Sequence, residues 1–482
     1  MHQNAERPKT HSSAPARKVL CVKFSSGILR QRLGNLVRGD GLGARATRSS
    51  AYTMAGYMAA QIIRLGANLI LTRLLFPEAF GLMALVMLFM QGLQMFSDVG
   101  VGPSIMQNER GDEPAFLNTA WTIQIIRGSL LWLTTIVMAV PVANFYQEPQ
   151  LAELLPVAGL ALFIAGFNAT RIETAQRHMN IGRLTLIDLI SQALGAVAMI
   201  AFALAFRSVW ALLAASLVAA LAKMALSHLY LQGQPNRLAW ERRAGSALIH
   251  FGKWIFFSTV CGFIFTQGDR LILGKYLSIS LLGIYNIGHF LASFPFILGS
   301  TIVVKIMIPL YRDKHPSVSP ENFRKIRLVR VLLTSTVLSM AFVMALIGVP
   351  LTEFLYDPRF HLSGPVLVLV AIAQFPLIIG LTYDQAALAA GDSQGFFWVL
   401  LARSGFLVTS MFVGLSMGGL VPAILMVAVG SALSHGFLVA LARKHKVWDP
   451  KTDIGFFLAA LFVAALALWL NQDAITLLYQ QK

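Results

Sequence analysis

Apolar runs of about twenty residues follow one another from residue 52 to residue 470, and twenty is the length a helix needs to cross the hydrocarbon of a bilayer. A transmembrane barrel would show ten-residue alternation instead. Soluble chains carry about 25% charged residues, whereas this one carries 13% and is 56% apolar. The pattern predicts an all-α polytopic membrane protein. Spans are expected near 52–75, 80–105, 116–142, 151–170, 184–206, 209–231, 249–274, 280–310, 328–355, 362–390, 396–416, 419–441 and 454–470.

Loop charge gives the orientation. With the N-terminus inside, the inner loops hold sixteen Lys and Arg, from Arg110 to Lys451, and the outer loops hold only Arg73, Arg207, Lys275 and Arg359. The net charge of +17 is therefore assigned to inner loops and not to a nucleic-acid partner. Residues 1–50 are basic and lack an apolar core long enough for a signal peptide. They are expected to form a disordered cytoplasmic tail, or to place a surface helix at 27–37 on anionic lipid.

An internal echo divides the rest. Asn68–Leu82 laid over Arg270–Ile284, a shift of 202, matches Leu69, Ile70, Leu71, Leu75 and Gly81 with identical residues, and Arg73 with Lys275. Six spans per half is even, so the halves share one orientation, the parallel-repeat plan of transporters with the substrate between them. The expected units are the tail (1–50), an N-terminal six-helix lobe (51–231), a cytoplasmic linker (232–248), a C-terminal six-helix lobe (249–445) and an extra C-terminal helix (446–482).

Polar residues recur on single faces of these spans. Tyr57, Gln61, Arg64, Asn68 and Thr72 are spaced 4, 3, 4 and 4 apart, one face of span 1. Thr259, Thr266 and Arg270 make the corresponding face of span 7, beside Asp269. Span 2 carries Gln91, Gln94 and Asp98; span 3 carries Gln124 and Arg127; span 8 carries Asn286, His289, Ser293 and Ser300. Hydrocarbon offers such groups no partners, so they face protein or water. Helix-packing glue is the plainer reading, but glue has little need of an arginine. The stripes make Arg64, Arg270, Gln61, Asn68, Arg127, Gln91 and Gln94 candidate substrate residues, with Asp98, Asp269 and His289 candidates for ion coupling. Arg64 and Arg270 are expected to share one aqueous cavity. Lys253, Asp384 and Arg403 read as side chains snorkelling from span ends, as do Asp98 and Asp188 near the cytoplasmic ends. Gly100 and Gly102 are expected to let helices approach closely.

There is no P-loop, no metal-ligand spacing and no cofactor signature, and the two cysteines, Cys21 and Cys261, make no disulfide framework. Outer loops are too short for a catalytic domain, so a transporter, not an enzyme, is expected.

Arg73-Leu74-Leu75-Phe76-Pro77-Glu78-Ala79-Phe80-Gly81, followed by Phe96-Ser97-Asp98-Val99-Gly100-Val101-Gly102, resembles the polysaccharide-transporter branch of the multidrug/oligosaccharidyl-lipid/polysaccharide exporter superfamily. Asp269-Arg270, Gly283-Ile284-Tyr285, Pro309 closing span 8 and Ala389-Ala390-Gly391-Asp392 fit the same family. The resemblance spans roughly residues 45–445. It implies two lobes around a V-shaped cavity, twelve or fourteen helices, a bacterial inner-membrane location and a flippase for a polyprenyl-diphosphate-linked saccharide. A polysaccharide polymerase and a chain-length regulator are the implied partners. Arginine suits the diphosphate, and Gln61, Asn68, Gln91 and Gln94 suit sugar hydroxyls. Two alternatives stay open: a drug/cation antiporter of the same superfamily, which would want an acidic cavity, and a membrane saccharide polymerase or ligase, which would want a large polar outer loop.

Overall fold

A computed structural model describes residues 42–98, 100–242, 244–245, 248, 255–316 and 318–481. Of the expected tail, 1–50, the part to residue 41 with its surface helix at 27–37 lies outside the described residues, as does Lys253, and residues 42–50 are not disordered but form the start of a helix. Among the described residues the chain is helical, with no strand. The first lobe contains α1 (Leu42–Leu74), α2 (Pro77–Phe96), α3 (Val101–Gln107), α4 (Pro114–Tyr146), α5 (Leu151–Gly166), α6 (Arg171–Arg177), α7 (Ile181–Phe206) and α8 (Trp210–Leu229). The second contains α9 (Ile255–Tyr276), α10 (Ile279–Ala292), α11 (Phe294–Asp313), α12 (Pro320–Leu355), α13 (Ser363–Gly380), α14 (Asp384–Ala389), α15 (Ser393–Gly418) and α16 (Leu420–Lys444). α17 (Pro450–Leu470) and α18 (Gln472–Gln480) close the chain. Eleven of the described helices are long and apolar enough to cross a membrane, and α5 with α6, bent by 59°, makes a twelfth. α9 falls outside that set because Asp269, Arg270 and Lys275 lie within its 22 residues.

Three expected spans are broken. α2 stops at Phe96, so Asp98 sits in a turn and not within the span. The turn is held by Asp98 Oδ1, which accepts Gly100 N–H at 2.9 Å, and Gly100 adopts φ 66°, a left-handed geometry that glycine takes without cost. Gly100 therefore serves this turn, which corrects the expected close-packing role. The expected span 8 breaks at Ser293, ahead of Pro295 in the first turn of α11. Pro309 lies inside α11 rather than at its end. The expected span 10 breaks at 381–383, between α13 and α14.

The two lobes meet along α2, α9 and α10, and the contact reproduces itself under the shift of 202. A Cβ built on Gly81 would lie 1.9 Å from the Ile279 carbonyl oxygen, and one on Gly283 would lie 2.0 Å from that of Pro77. The shift that carries Pro77 to Ile279 carries Gly81 to Gly283, as two parallel repeats about an axis normal to the membrane require. Further contacts join the ends bearing the charge-poor loops. Arg359 Nη2 donates to the carbonyls of Thr72 (3.2 Å) and Arg73 (3.0 Å), and its guanidinium lies 4.9 Å from the Phe76 ring centre. Tyr146 Oη donates to the Leu271 carbonyl at 3.3 Å.

The linker is strapped to the first lobe. Its backbone amides at Arg237, Ala239 and Glu241 donate to Asn118, Thr122 and Thr119 on α4 at 2.9, 3.1 and 3.0 Å. Arg110 clamps the Glu241 carboxylate through both terminal nitrogens, at 3.0 and 2.9 Å.

In the second lobe α13 is buried along almost its whole length. The break after it is surrounded by charge. Arg330 on α12, 1% exposed, pairs with Asp453 on α17, 5% exposed. Asp453 also accepts from Tyr383 Oη and Trp448 Nε1, each at 3.0 Å, and Arg330 stacks on the Tyr383 ring at 3.8 Å. Arg403 Nη1 donates to Asp384 Oδ2 at 2.8 Å, both side chains buried. Snorkelling is therefore the wrong account of Asp384 and Arg403; each is the other's partner in the core, where an unpaired charge would be far more costly. The Asp392 carboxylate caps α15 by accepting Gly395 N–H at 3.0 Å. Lys444 and His445 also bond it, and these donors hold its carboxyl well below the usual carboxylate range.

Candidate functional site

The first lobe is hollow. α1 packs along α7, with Gly56 against the Thr185 side chain, so the polar face of α1 looks toward α7 and α8. A cavity of about 670 Å³ opens there, lined by Tyr57 and Arg64 of α1, Asp188 and Ser191 of α7, Lys223 of α8, and Asn168. Gln94 and Ala165 form part of its wall and also part of the wall of a second cavity, of about 380 Å³, which adds Asp98, Gln124 and Arg127. All of the lining residues belong to the first lobe.

Arg64 is exposed to the larger cavity and makes no hydrogen bond or ion pair with any described residue. Lys223 Nζ lies 2.8 Å from Asp188 Oδ1, with the side chains 39% and 58% exposed. Arg127 is partly committed to structure: its Nε donates to Ser97 Oγ at 2.9 Å and its Nη2 to the Gln94 carbonyl at 2.7 Å, which caps the end of α2. Three polar atoms in these walls are buried without a partner among the described residues, namely Gln124 Oε1, Asn168 Oδ1 and Ser191 Oγ. Buried polar groups are almost always hydrogen-bonded, and these three are exceptions beside the cavities. Gln61 is buried, with Nε2 donating to Tyr57 Oη at 2.8 Å and Oε1 left over. Asn68 lies half-buried about two turns further along α1.

The second-lobe candidates form a separate, closed network. Arg270 donates to Gln267 Oε1 (2.8 Å), Asn286 Oδ1 (3.1 Å) and His289 Nδ1 (3.0 Å). A guanidinium can only donate, so Nδ1 is the accepting nitrogen and the ring proton sits on Nε2, 3.3 Å from Asp269 Oδ2. Tyr285 Oη donates to the same oxygen of Asp269 at 2.6 Å. Gln267 Nε2 reaches across to Gln91 Oε1 at 2.9 Å, so Gln91 is engaged in the contact between lobes. Arg270 is absent from the lining of the cavity that Arg64 faces. The expectation that the two arginines share one cavity is thus not met: the Arg64 face is turned into its own lobe by α7 and α8, and Arg270 is held by Asn286 and His289.

Lys223 escaped the sequence reading. Its signal was available, since it is the one Asp, Glu, Lys or Arg in the 20 residues of α8.

Residues 70–363 match the profile of a family described as polysaccharide biosynthesis protein. The chain belongs to this family. Among curated relatives of this polysaccharide biosynthesis protein, the succinoglycan biosynthesis transport protein ExoT of Rhizobium meliloti is 24% identical, over 76% of this chain and 73% of that one. The teichuronic acid biosynthesis protein TuaB of Bacillus subtilis is 22% identical, over 71% and 70%. Among solved structures, an inward closed conformation of the lipid II flippase MurJ superposes with a TM-score of 0.63 at 11% identity, covering 89% of this chain and 99% of that one. An inward-facing multidrug resistance MATE transporter of the MOP superfamily gives 0.58 at 12% identity, covering 84% and 95%. The fold is the two-lobe fold of these two structures, and the protein is a multi-pass membrane protein of the polysaccharide biosynthesis family.

Proposed function

We propose that this protein moves a saccharide linked to a polyprenyl diphosphate from the inner to the outer leaflet of the bacterial inner membrane, by alternating access and with no covalent step. The observation that carries the reading is Arg64, a guanidinium with no partner among the described residues, facing a 670 Å³ cavity inside an apolar lobe. An arginine in such a place is costly unless a water-filled cavity or an anion receives it, and its planar fork matches phosphate oxygens. The accessible polar side chains of the same walls, Tyr57 and Gln94 among them, suit sugar hydroxyls, while the polyprenyl tail remains in lipid. A cation antiporter fits less well, because Arg64, Arg127 and Lys223 outnumber Asp98 and Asp188 in the two cavities.

The loop charges put the N-terminus inside, so the lobe ends joined by Arg359 and Tyr146 are the outer ends and the cavity belongs to an inward-facing state. Cysteines placed at Gln147 and Arg237 should react with impermeant thiol reagents from opposite sides of the membrane; labelling from one side would contradict this topology. Loss of the protein should trap lipid-linked saccharide on the cytoplasmic leaflet and stop polymer output downstream, where a polymerase and a chain-length regulator would act. Unchanged output, in cells without a second flippase, would contradict the function.

A further inference from the structure

We propose that Lys223 and Asp188 form a displaceable ion pair that makes the larger cavity select a diphosphate over a monophosphate, an inference that rests on the function proposed above. Three observations converge on this pair. Lys223 is the only Asp, Glu, Lys or Arg of α8, and a charge in a span is placed for a cavity or a partner, not for lipid. Its bond to Asp188, 2.8 Å long, is open to the cavity, with 39% and 58% of the two side chains exposed. An ion pair that open contributes little to stability, so holding α7 to α8 is a weak reason for it. The pair also shares its cavity with Arg64, which projects from α1, with no partner among the described residues.

Chemistry then sets the roles. A diphosphate carries two phosphoryl groups, and two cations on different walls can each take one. A monophosphate is satisfied by Arg64 alone and has no second group to compete for Lys223. In the empty cavity Asp188 occupies Lys223 and lowers the positive potential, so small anions are held weakly. The diphosphate displaces the carboxylate from Lys223 and pays for its proximity in repulsion. Asp188 is thus a competitor built into the site, and removing it should tighten binding.

The test uses the full-length protein in lipid nanodiscs, with farnesyl diphosphate and farnesyl monophosphate as probes and calorimetry as the readout. Wild type should prefer the diphosphate. Lys223→Gln should lose about tenfold or more in diphosphate affinity, as removal of a charge-assisted bond does, and leave the monophosphate unchanged. Lys223→Arg should keep the preference. Asp188→Asn should bind the diphosphate several-fold more tightly, a gain that misfolding cannot produce. An unchanged diphosphate-to-monophosphate ratio in Lys223→Gln, or weaker binding in Asp188→Asn, would overturn the proposal. If Arg64→Gln weakens both ligands while the Lys223 and Asp188 variants behave as wild type, the pair fails and the proposed function stands. If wild type binds neither probe, both fall.

Discussion

Replacing Asp453 with alanine should cost the protein about 3–5 kcal/mol, the price of a single broken buried ion pair in soluble cores, and should be visible as a large fall in yield and thermal midpoint. Arg330, 1% exposed, would lose its only charged partner, since its Nε and Nη1 already have none among the described residues. The Tyr383 hydroxyl and the Trp448 indole would lose their acceptor as well. Changing both partners to apolar residues of similar volume, Arg330→Met with Asp453→Leu, should recover much of the loss, because neither charge is then stranded. An Asp453→Ala protein as stable as wild type would show that the pair contributes nothing. The expected loss also gives α17 a definite place: it supplies the counter-charge of the second lobe's core and is an integral part of that lobe.

The second large effect is expected at the contact between lobes. Leucine at Gly283 places a Cβ 2.0 Å from the Pro77 carbonyl oxygen, and leucine at Gly81 places one 1.9 Å from that of Ile279. The obstacle on each side is backbone, which cannot rotate away as a flexible side chain would, so the helices must separate. Overpacking of this kind costs about 1–3 kcal/mol or more, enough to shift the closed-to-open ratio of the outer ends about tenfold to a hundredfold. The readout is thiol cross-linking between cysteines at Phe76 and Arg359, which lie against each other across the lobes, with Cys21 and Cys261 replaced by serine. Cross-linking should be strong in the native background and largely lost in Gly283→Leu, along with transport. Equal yields in both would mean that the two glycines do not set the approach of the lobes.

Much of this architecture was legible in the sequence. The apolar runs carried the helices, and the turn at Phe76–Pro77 marked the start of α2. The 202-residue echo aligned Gly81 with Gly283, but that the two meet across the lobes is visible only in the fold. The breaks were not legible. Hydrophobic periodicity runs through Ser293 and through 381–383 without a change of composition, and the turn at Ser97–Gly100 is set by one carboxylate and one backbone angle. Partners across the fold were hidden for a similar reason. A stripe such as Gln61, Arg64 and Asn68 says which residues share a face, but α7 and α8 decide what that face looks into. Arg330 and Asp453 are 123 positions apart, and each alone resembles a charge at a span end. A single lysine in an apolar run, such as Lys223, reads as a tolerated exception until Asp188 is seen beside it.

The proposed role of Arg64 is to serve a substrate diphosphate in a cavity used for transbilayer movement. The most direct measurement is made in proteoliposomes holding purified protein and a fluorescent polyprenyl-diphosphate-linked saccharide, with outer-leaflet probe quenched over time. Wild type should equilibrate the two leaflets. Arg64→Gln, reconstituted at the same density, should do so about tenfold more slowly, the loss expected for one charge-assisted contact, and Arg64→Lys should fall between them because an ammonium lacks the bidentate fork. Leaflet exchange by Arg64→Gln at the wild-type rate, or none by wild type itself, would contradict the account.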